Sequence, residues 1–168
     1  IHCLTISYPV KIQEKLVDAT GLKSTELLEL SVELGRFYSK IINDFIDFYG
    51  IKRSKIDAIA SHGHTIYHQP NRSFTLQIGC GETIAHHTKL KVINDFRQKD
   101  IVAGGQGAPL VPIGDKLLFP EFKAFLNIGG FSNMSYIIDD IIRAFDIGPG
   151  NLPLNLIANR LGFSFDDG

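Results

Sequence analysis

Residues 124–151 read AFLNIGGFSNMSYIIDDIIRAFDIGPGN, and this stretch decides how the rest of the chain is read. Ala124 to Ile128 is a short apolar run that predicts a strand, and Gly129-Gly130 predicts a turn. Met134 to Ile138 predicts a second strand, Asp139-Asp140 its turn, and Ile142 to Ile147 a third strand. Gly148-Pro149-Gly150-Asn151 is expected to break that strand before a helix over Leu152 to Leu161. Pro153 falls in the first turn of this helix, where its missing N–H costs nothing.

Upstream, the longest signal is a helix from a Ser24 cap to about Tyr49. Leu27, Leu30, Leu34, Phe37, Ile41, Phe45 and Phe48 recur three or four apart and form one apolar stripe, and Gly50 suits the stop. Leu4 to Tyr8, ending at Pro9, is expected as a strand. Ile56 to Ala60, Phe74 to Ile78 and Val92-Ile93 are further strands, Glu82 to Thr88 is a short helix, and Gln69-Pro70-Asn71 is a break. Ala103 to Pro112 is expected to be a loop. Strands alternating with helices predict an α/β domain over residues 1–112, and a second pattern opens over 113–168. Two hairpins followed by a helix are how an RNase H-like domain begins.

The 168 residues carry 17 Lys and Arg against 18 Asp and Glu, a net charge of −1. No broad field therefore draws nucleic acid or an acidic membrane. Cys3 and Cys80, far apart and outside any CxxC pair, are not a disulfide framework, so a reduced cytosolic setting is expected. No apolar run is long enough to span a bilayer. The start at Ile1 and the close at Asp166-Asp167-Gly168 read as cut ends, which leaves an N-terminal signal open.

Five segments could carry chemistry. Gly129-Gly130 lets a backbone approach a ligand, and its N–H groups can form a concave anion site with Asn127, Ser132 and Asn133 beside it; a plain hairpin turn is the alternative. Asp146 stands at the end of an apolar strand, with Gly148, Gly150 and Asn151 leading into a helix whose N-terminal donors suit an anion; capping of a turn is the alternative. Arg97, with Asp95 and Asp100 nearby, offers a planar fork for a carboxylate or phosphate, or else an ion pair with those acids. His62, His64 and His68, with His86 and His87 further on, suggest metal chemistry, but no Cys, His or carboxylate set completes a site, and no metal is assigned. The run around Gln106 is a hinge, a substrate loop or a linker.

Taken together, Ser61 to Thr65, Phe74 to Gly79, Asp95-Phe96-Arg97 with Asp100, Ala103 to Pro112, Leu126 to Asn133, and Phe145-Asp146 with Gly148 to Asn151 resemble the anhydro-N-acetylmuramic acid kinase family in order and spacing, over roughly residues 56–168. The resemblance implies an actin-like ATPase fold of two RNase H-like domains, with the later part of the first and the start of the second present here. ATP and Mg²⁺ would lie in the cleft between them. It implies a cytoplasmic carbohydrate kinase that opens the 1,6-anhydro ring of an amino sugar with water and phosphorylates O6, giving N-acetylmuramic acid 6-phosphate in peptidoglycan recycling. Asp146 takes the place of the catalytic aspartate. Asn127, Gly129, Gly130, Ser132, Asn133, Gly148, Gly150 and Asn151 fall on the phosphate side. His62, Gly63, Thr65, Asp95, Arg97 and Gln106 fall on the sugar side. The family usually has Gln where His64 stands, and a Met-rich helix start where Leu152 to Asn155 stands. Its first phosphate loop is expected upstream of Ile1, so little activity is expected of this piece alone. A homodimer is left open. A metal hydrolase built on His62 and His64, and a non-catalytic glycan-binding protein of the actin-like group, are the rival readings.

Overall fold

The computed structural model describes residues 1–163 and Phe165, in two compact units, Ile1–Gly107 and a second from Ala108 onward. The closing Asp166-Asp167-Gly168 lies outside the described residues. The division falls ahead of the Pro112 boundary expected from the sequence.

The first unit holds helices α1 (Val10–Val17), α2 (Ser24–Phe48), α3 (Gly81–Thr88) and α4 (Gln98–Val102), and strands β1 (Ile59–Ser61), β2 (His64–Gln69), β3 (Phe74–Ile78) and β4 (Val92–Asn94). In α2, Lys23 rather than Ser24 occupies the capping position, and its N–H donates to Glu26 Oε2 at 2.8 Å, a Glu at the third helical position reaching back. The helix stops where expected. Gly50 sits at φ +61°, its N–H donates to Asp47 O, and Ile51 N–H donates to Ile46 O, the paired bonds of a left-handed helix end. Leu30 and Leu34 are buried in the core with Ile12, Ala19 and Ile78. Burying a side chain of Leu34's size contributes about 1.5–3 kcal/mol. Phe48 is 78% exposed, against the expected stripe. The reason is that the buried line shifts to Gly35, Ser39 and Ile46. A Cβ on Gly35 would stand 2.8 Å from the Cys80 carbonyl oxygen, so only glycine lets the segment entering α3 come this close.

Leu4 to Tyr8 is not a strand. A strand persists only if its backbone groups find a partner, and no described strand pairs with this segment. It docks through Tyr8 instead, whose hydroxyl meets the Tyr38 hydroxyl at 2.9 Å and whose ring tilts against Phe37. Pro9 then leads directly into α1, a helix the sequence reading missed. β1 and β4 pair in parallel, Ile59 beside Val92 and Ser61 beside Asn94. β2 and β3 form an antiparallel hairpin, with Ile66 as an extra residue between the Thr65–Gln77 and Tyr67–Leu76 pairs.

The second unit holds helices α5 (Val111–Leu118) and α6 (Asn151–Arg160) and strands β5 (Ala124–Ile128), β6 (Phe131–Ile138) and β7 (Ile141–Pro149). The strands form an antiparallel meander in the order β5-β6-β7. Asp139 and Asp140, at φ +50° and +64°, make the left-handed two-residue turn a hairpin favours. The sheet runs further than expected: β6 starts at Phe131, and β7 continues through Gly148 to Pro149. Among the described residues β7 pairs with β6 alone, and Pro149 ends it, at the edge-strand position where proline is tolerated. The expected loop is shorter too, because Pro112 lies in the first turn of α5, where proline is tolerated. The chain is a mixed α/β protein. No helix among the described residues is long and apolar enough to cross a membrane.

Candidate functional site

The singled-out residues form two groups, one in each unit. In the first, Ser61 and Asn94 are the in-register C-terminal ends of parallel β1 and β4, so His62 and Asp95 leave the same end of that sheet. This is the end at which α/β proteins hold ligands. Asp95 is exposed and takes φ +59°, a conformation Asp tolerates better than most residues.

Arg97 makes neither of the ion pairs considered for it. Its Nε donates to His62 Nε2 at 3.0 Å, and a terminal nitrogen donates to the Gly107 carbonyl at 2.7 Å. Because Arg97 has only protons to give, His62 Nε2 must accept, and the imidazole proton belongs on Nδ1. There it meets the Gly63 carbonyl at 3.0 Å. Both ring nitrogens of His62 are thereby engaged in a neutral imidazole. Burial lowers the Arg97 pKa from its usual value. His64 is also held below the ordinary histidine value, chiefly by burial. Its ring lies edge-on to Tyr8, with centroids 6.2 Å apart. Burial and the Tyr8 hydroxyl together push the Tyr38 phenol above its usual value.

A cleft of about 340 Å³ lies beside this group, lined by Tyr38, Ile41, Ile42, Ile59 and His62. It combines an apolar wall with a polar edge, as small-molecule sites do. A larger open groove of about 410 Å³ at Arg36, Lys40, Asn43 and His87 contains, of the residues singled out in the sequence, His87 alone. Thr65 is exposed on β2 and accepts from Gln77 Nε2 at 3.4 Å; Gln106 is exposed in the loop after α4. Gln77 Oε1 is buried without a partner among the described residues, an acceptor that the sequence reading did not single out.

In the second unit, Asn127, Asn133 and Asp146 stand directly opposite one another across the three strands. Opposed residues share a face, so one row carries two amides and a carboxylate. The register slips just beyond it. Ser132 pairs with Gly148 and Asn133 with Asp146, which leaves Ile147 as the extra residue of a bulge. Such bulges re-aim side chains next to functional sites. Asp146 is exposed, and among the described residues no side chain or backbone group is paired with its carboxylate.

The helix donors expected to face an anion are committed elsewhere. Gly150 N–H donates to Gly130 O at 2.8 Å, Asn151 N–H to Gly129 O at 2.8 Å, and Leu152 N–H to Gly130 O at 3.3 Å, while Pro153 has no N–H. The start of α6 therefore braces the Gly129-Gly130 turn. Gly130 N–H has no backbone acceptor among the described residues and remains the turn's own donor. Gly150 must be glycine, since a Cβ would fall 2.2 Å from the Gly129 oxygen and 3.0 Å from Ser132 Oγ.

No group of three His, Cys, Asp or Glu side chains suited to a metal occurs among the described residues, and with His62 already engaged the metal-hydrolase alternative is unsupported.

The molecule is thus a mixed α/β protein with His62 and Asp95 leaving one end of a parallel strand pair and a polar row on an antiparallel sheet. The family model for anhydro-N-acetylmuramic acid kinase matches residues 1–167, and the chain belongs to that family. A Xanthomonas axonopodis pv. citri protein named anhydro-N-acetylmuramic acid kinase is 38% identical over 166 residues, covering 93% of this chain and 44% of the relative. A Shewanella denitrificans protein of the same name is 39% identical over 162 residues, covering 92% and 44%. One from Pseudomonas syringae pv. syringae is 49% identical over 118 residues, covering 67% and 32%. The chain spans less than half the length of these relatives.

Proposed function

We propose that the protein containing this chain is an ATP-dependent kinase that opens the 1,6-anhydro ring of anhydro-N-acetylmuramic acid with water and phosphorylates O6. Family membership over residues 1–167 supports this reading, as do the names of the relatives. The observation that carries the mechanism is the unpaired Asp146 carboxylate in the row with Asn127 and Asn133. Asp146 takes a proton from water as the water oxygen bonds to the anomeric carbon. The bond from that carbon to O6 breaks, and O6 forms its new bond to the γ-phosphorus of ATP as ADP leaves. One positioned carboxylate suits this, because phosphoryl transfer needs orientation and charge neutralisation more than covalent help.

The Gly129-Gly130 turn takes the phosphate side in this account, with Gly130 N–H, Ser132, Asn133 and Gly148 nearest the nucleotide, and Gly150 and Asn151 hold the turn in place. Mg²⁺, bound with ATP, would neutralise phosphate charge; the amide oxygens of Asn127 and Asn133 would suit a hard cation that keeps most of its waters and phosphate ligands, with Asp146 left free as the base. His62, Gly63, Thr65, Asp95, Arg97 and Gln106 take the sugar side. We assign the two units to the later part of the first and the start of the second RNase H-like domain of an actin-like ATPase fold, in a cytoplasmic enzyme.

The test is turnover by the full-length protein in ¹⁸O-labelled water. The account expects one labelled oxygen at the anomeric carbon and none in the new phosphate ester. Label in the phosphate, or phosphorylation with the anhydro ring intact, contradicts it.

A further inference from the structure

We propose that Asp100 is a positioning residue of the sugar side, acting through Gly107 and Arg97 on His62; the inference rests on the sugar-side reading of Arg97 and His62 given above. Asp100 and Arg97 grip the same residue from opposite ends. Asp100 Oδ2 accepts the Gly107 N–H at 2.7 Å, and Arg97 donates to the Gly107 carbonyl at 2.7 Å. The Asp100 backbone carbonyl also accepts Gly105 N–H at 2.8 Å. The loop from Ala103 to Gly107 is thus wrapped around one aspartate, and Gln106 is carried between its two attachment points.

The fit leaves no slack. A Cβ on Gly105 would overlap the Asp100 carboxylate, 2.2 Å from Oδ2. Gly107 sits at φ +66°, where a Cβ would also stand 2.8 Å from Ile101 Cγ1. A linker or free hinge would not need two glycines fitted against one carboxylate. The consequence reaches His62. With one end of the Arg97 guanidinium fixed on Gly107, its Nε is aimed at His62 Nε2, and that contact sets which imidazole nitrogen carries the proton. Asp100 touches neither His62 nor the cleft and acts only through this chain of contacts.

The test uses the full-length protein with Asp100→Ala, Asp100→Asn and, as a control on the sugar-side reading, Arg97→Ala. Two-bond ¹H–¹⁵N NMR of the histidines reads the His62 tautomer without substrate. The inference expects wild type to hold the Nδ1–H form, Asp100→Ala to mix tautomers, and Asp100→Asn to restore it, since its amide oxygen can still accept from Gly107. Kinetics should show the sugar KM raised roughly tenfold by Asp100→Ala, as for loss of a charge-assisted hydrogen bond, with the ATP KM unchanged and Asp100→Asn near wild type. An unchanged His62 tautomer in Asp100→Ala overturns the inference, as does Asp100→Asn behaving like Asp100→Ala or a parallel rise in both KM values. A tautomer shift with unchanged sugar KM in both Asp100→Ala and Arg97→Ala would uphold the clamp and overturn the sugar-side reading.

Discussion

Arg97 and His62, 35 residues apart, are joined by a 3.0 Å hydrogen bond from guanidinium Nε to imidazole Nε2. The bond links the segments that follow two parallel strands, and His62 lines the apolar cleft.

Arg97→Ala in the full-length protein is expected to weaken sugar binding more than ATP binding. A lost charge-assisted contact typically costs about 1.5–3 kcal/mol, or roughly ten- to a hundredfold. Arg97→Lys should recover little, because a lysine ammonium cannot reproduce a fork that meets His62 and Gly107 together. Calorimetric titrations with each ligand check this; equal losses for both ligands would make Arg97 a structural residue.

His64 gives a pH prediction. Its folded pKa is depressed, chiefly by burial, so the folded state takes up its proton less readily than the unfolded chain. The stability this contributes is fully present above the unfolded value, about 6.5. It falls away as the pH drops from there through the lower folded value. His64→Gln should flatten that acid-side decline, read by urea melts at a series of pH values. An unchanged slope would mean that His64 is not the group responsible.

Gly150→Ala should damage the second unit at one point. Its Cβ would sit 2.2 Å from the Gly129 carbonyl oxygen. The turn and the start of α6 must separate, breaking the Gly150–Gly130 and Asn151–Gly129 bonds. Overpacking of this kind costs about 1–3 kcal/mol. Thermal melts should show the loss, and ATP affinity should fall with it; a variant as stable as wild type would contradict the packing described for this turn.

What could be read from the sequence was set locally. Gly50 ended α2 as expected because a left-handed helix stop is made by one residue and its immediate neighbours. Asp139-Asp140 turned a hairpin for the same reason, and Pro153 fell in a first turn as its chemistry allows. Leu4 to Tyr8 failed because strand propensity does not supply a partner strand. α4 and α5 were hidden by the glycines and prolines around them, although Pro112 is compatible with a first turn. At the candidate sites, composition pointed Arg97 toward its neighbouring acids, whereas the fold delivers a histidine from the loop after β1. The bulge at Ile147 and the use of the α6 donors by Gly129 and Gly130 are likewise tertiary facts with no cue in residue spacing.

The central claim, that Asp146 is the base, is tested most directly by the kcat of full-length Asp146→Asn, with thermal melts and ATP binding measured on the same samples. The amide keeps the size of the side chain and its place opposite Asn133, so fold and ATP affinity should stay close to wild type. It cannot accept a proton from water, and loss of a general base lowers the rate by on the order of 10²–10⁴, in kcat rather than KM. A capping role would instead cost about 1 kcal/mol of stability and spare the chemistry, and a metal-holding role would yield to raised Mg²⁺. The account predicts a stable, ATP-binding, nearly inactive variant that added Mg²⁺ does not rescue; retention of more than about a tenth of wild-type kcat, well outside the range for a lost base, would contradict it.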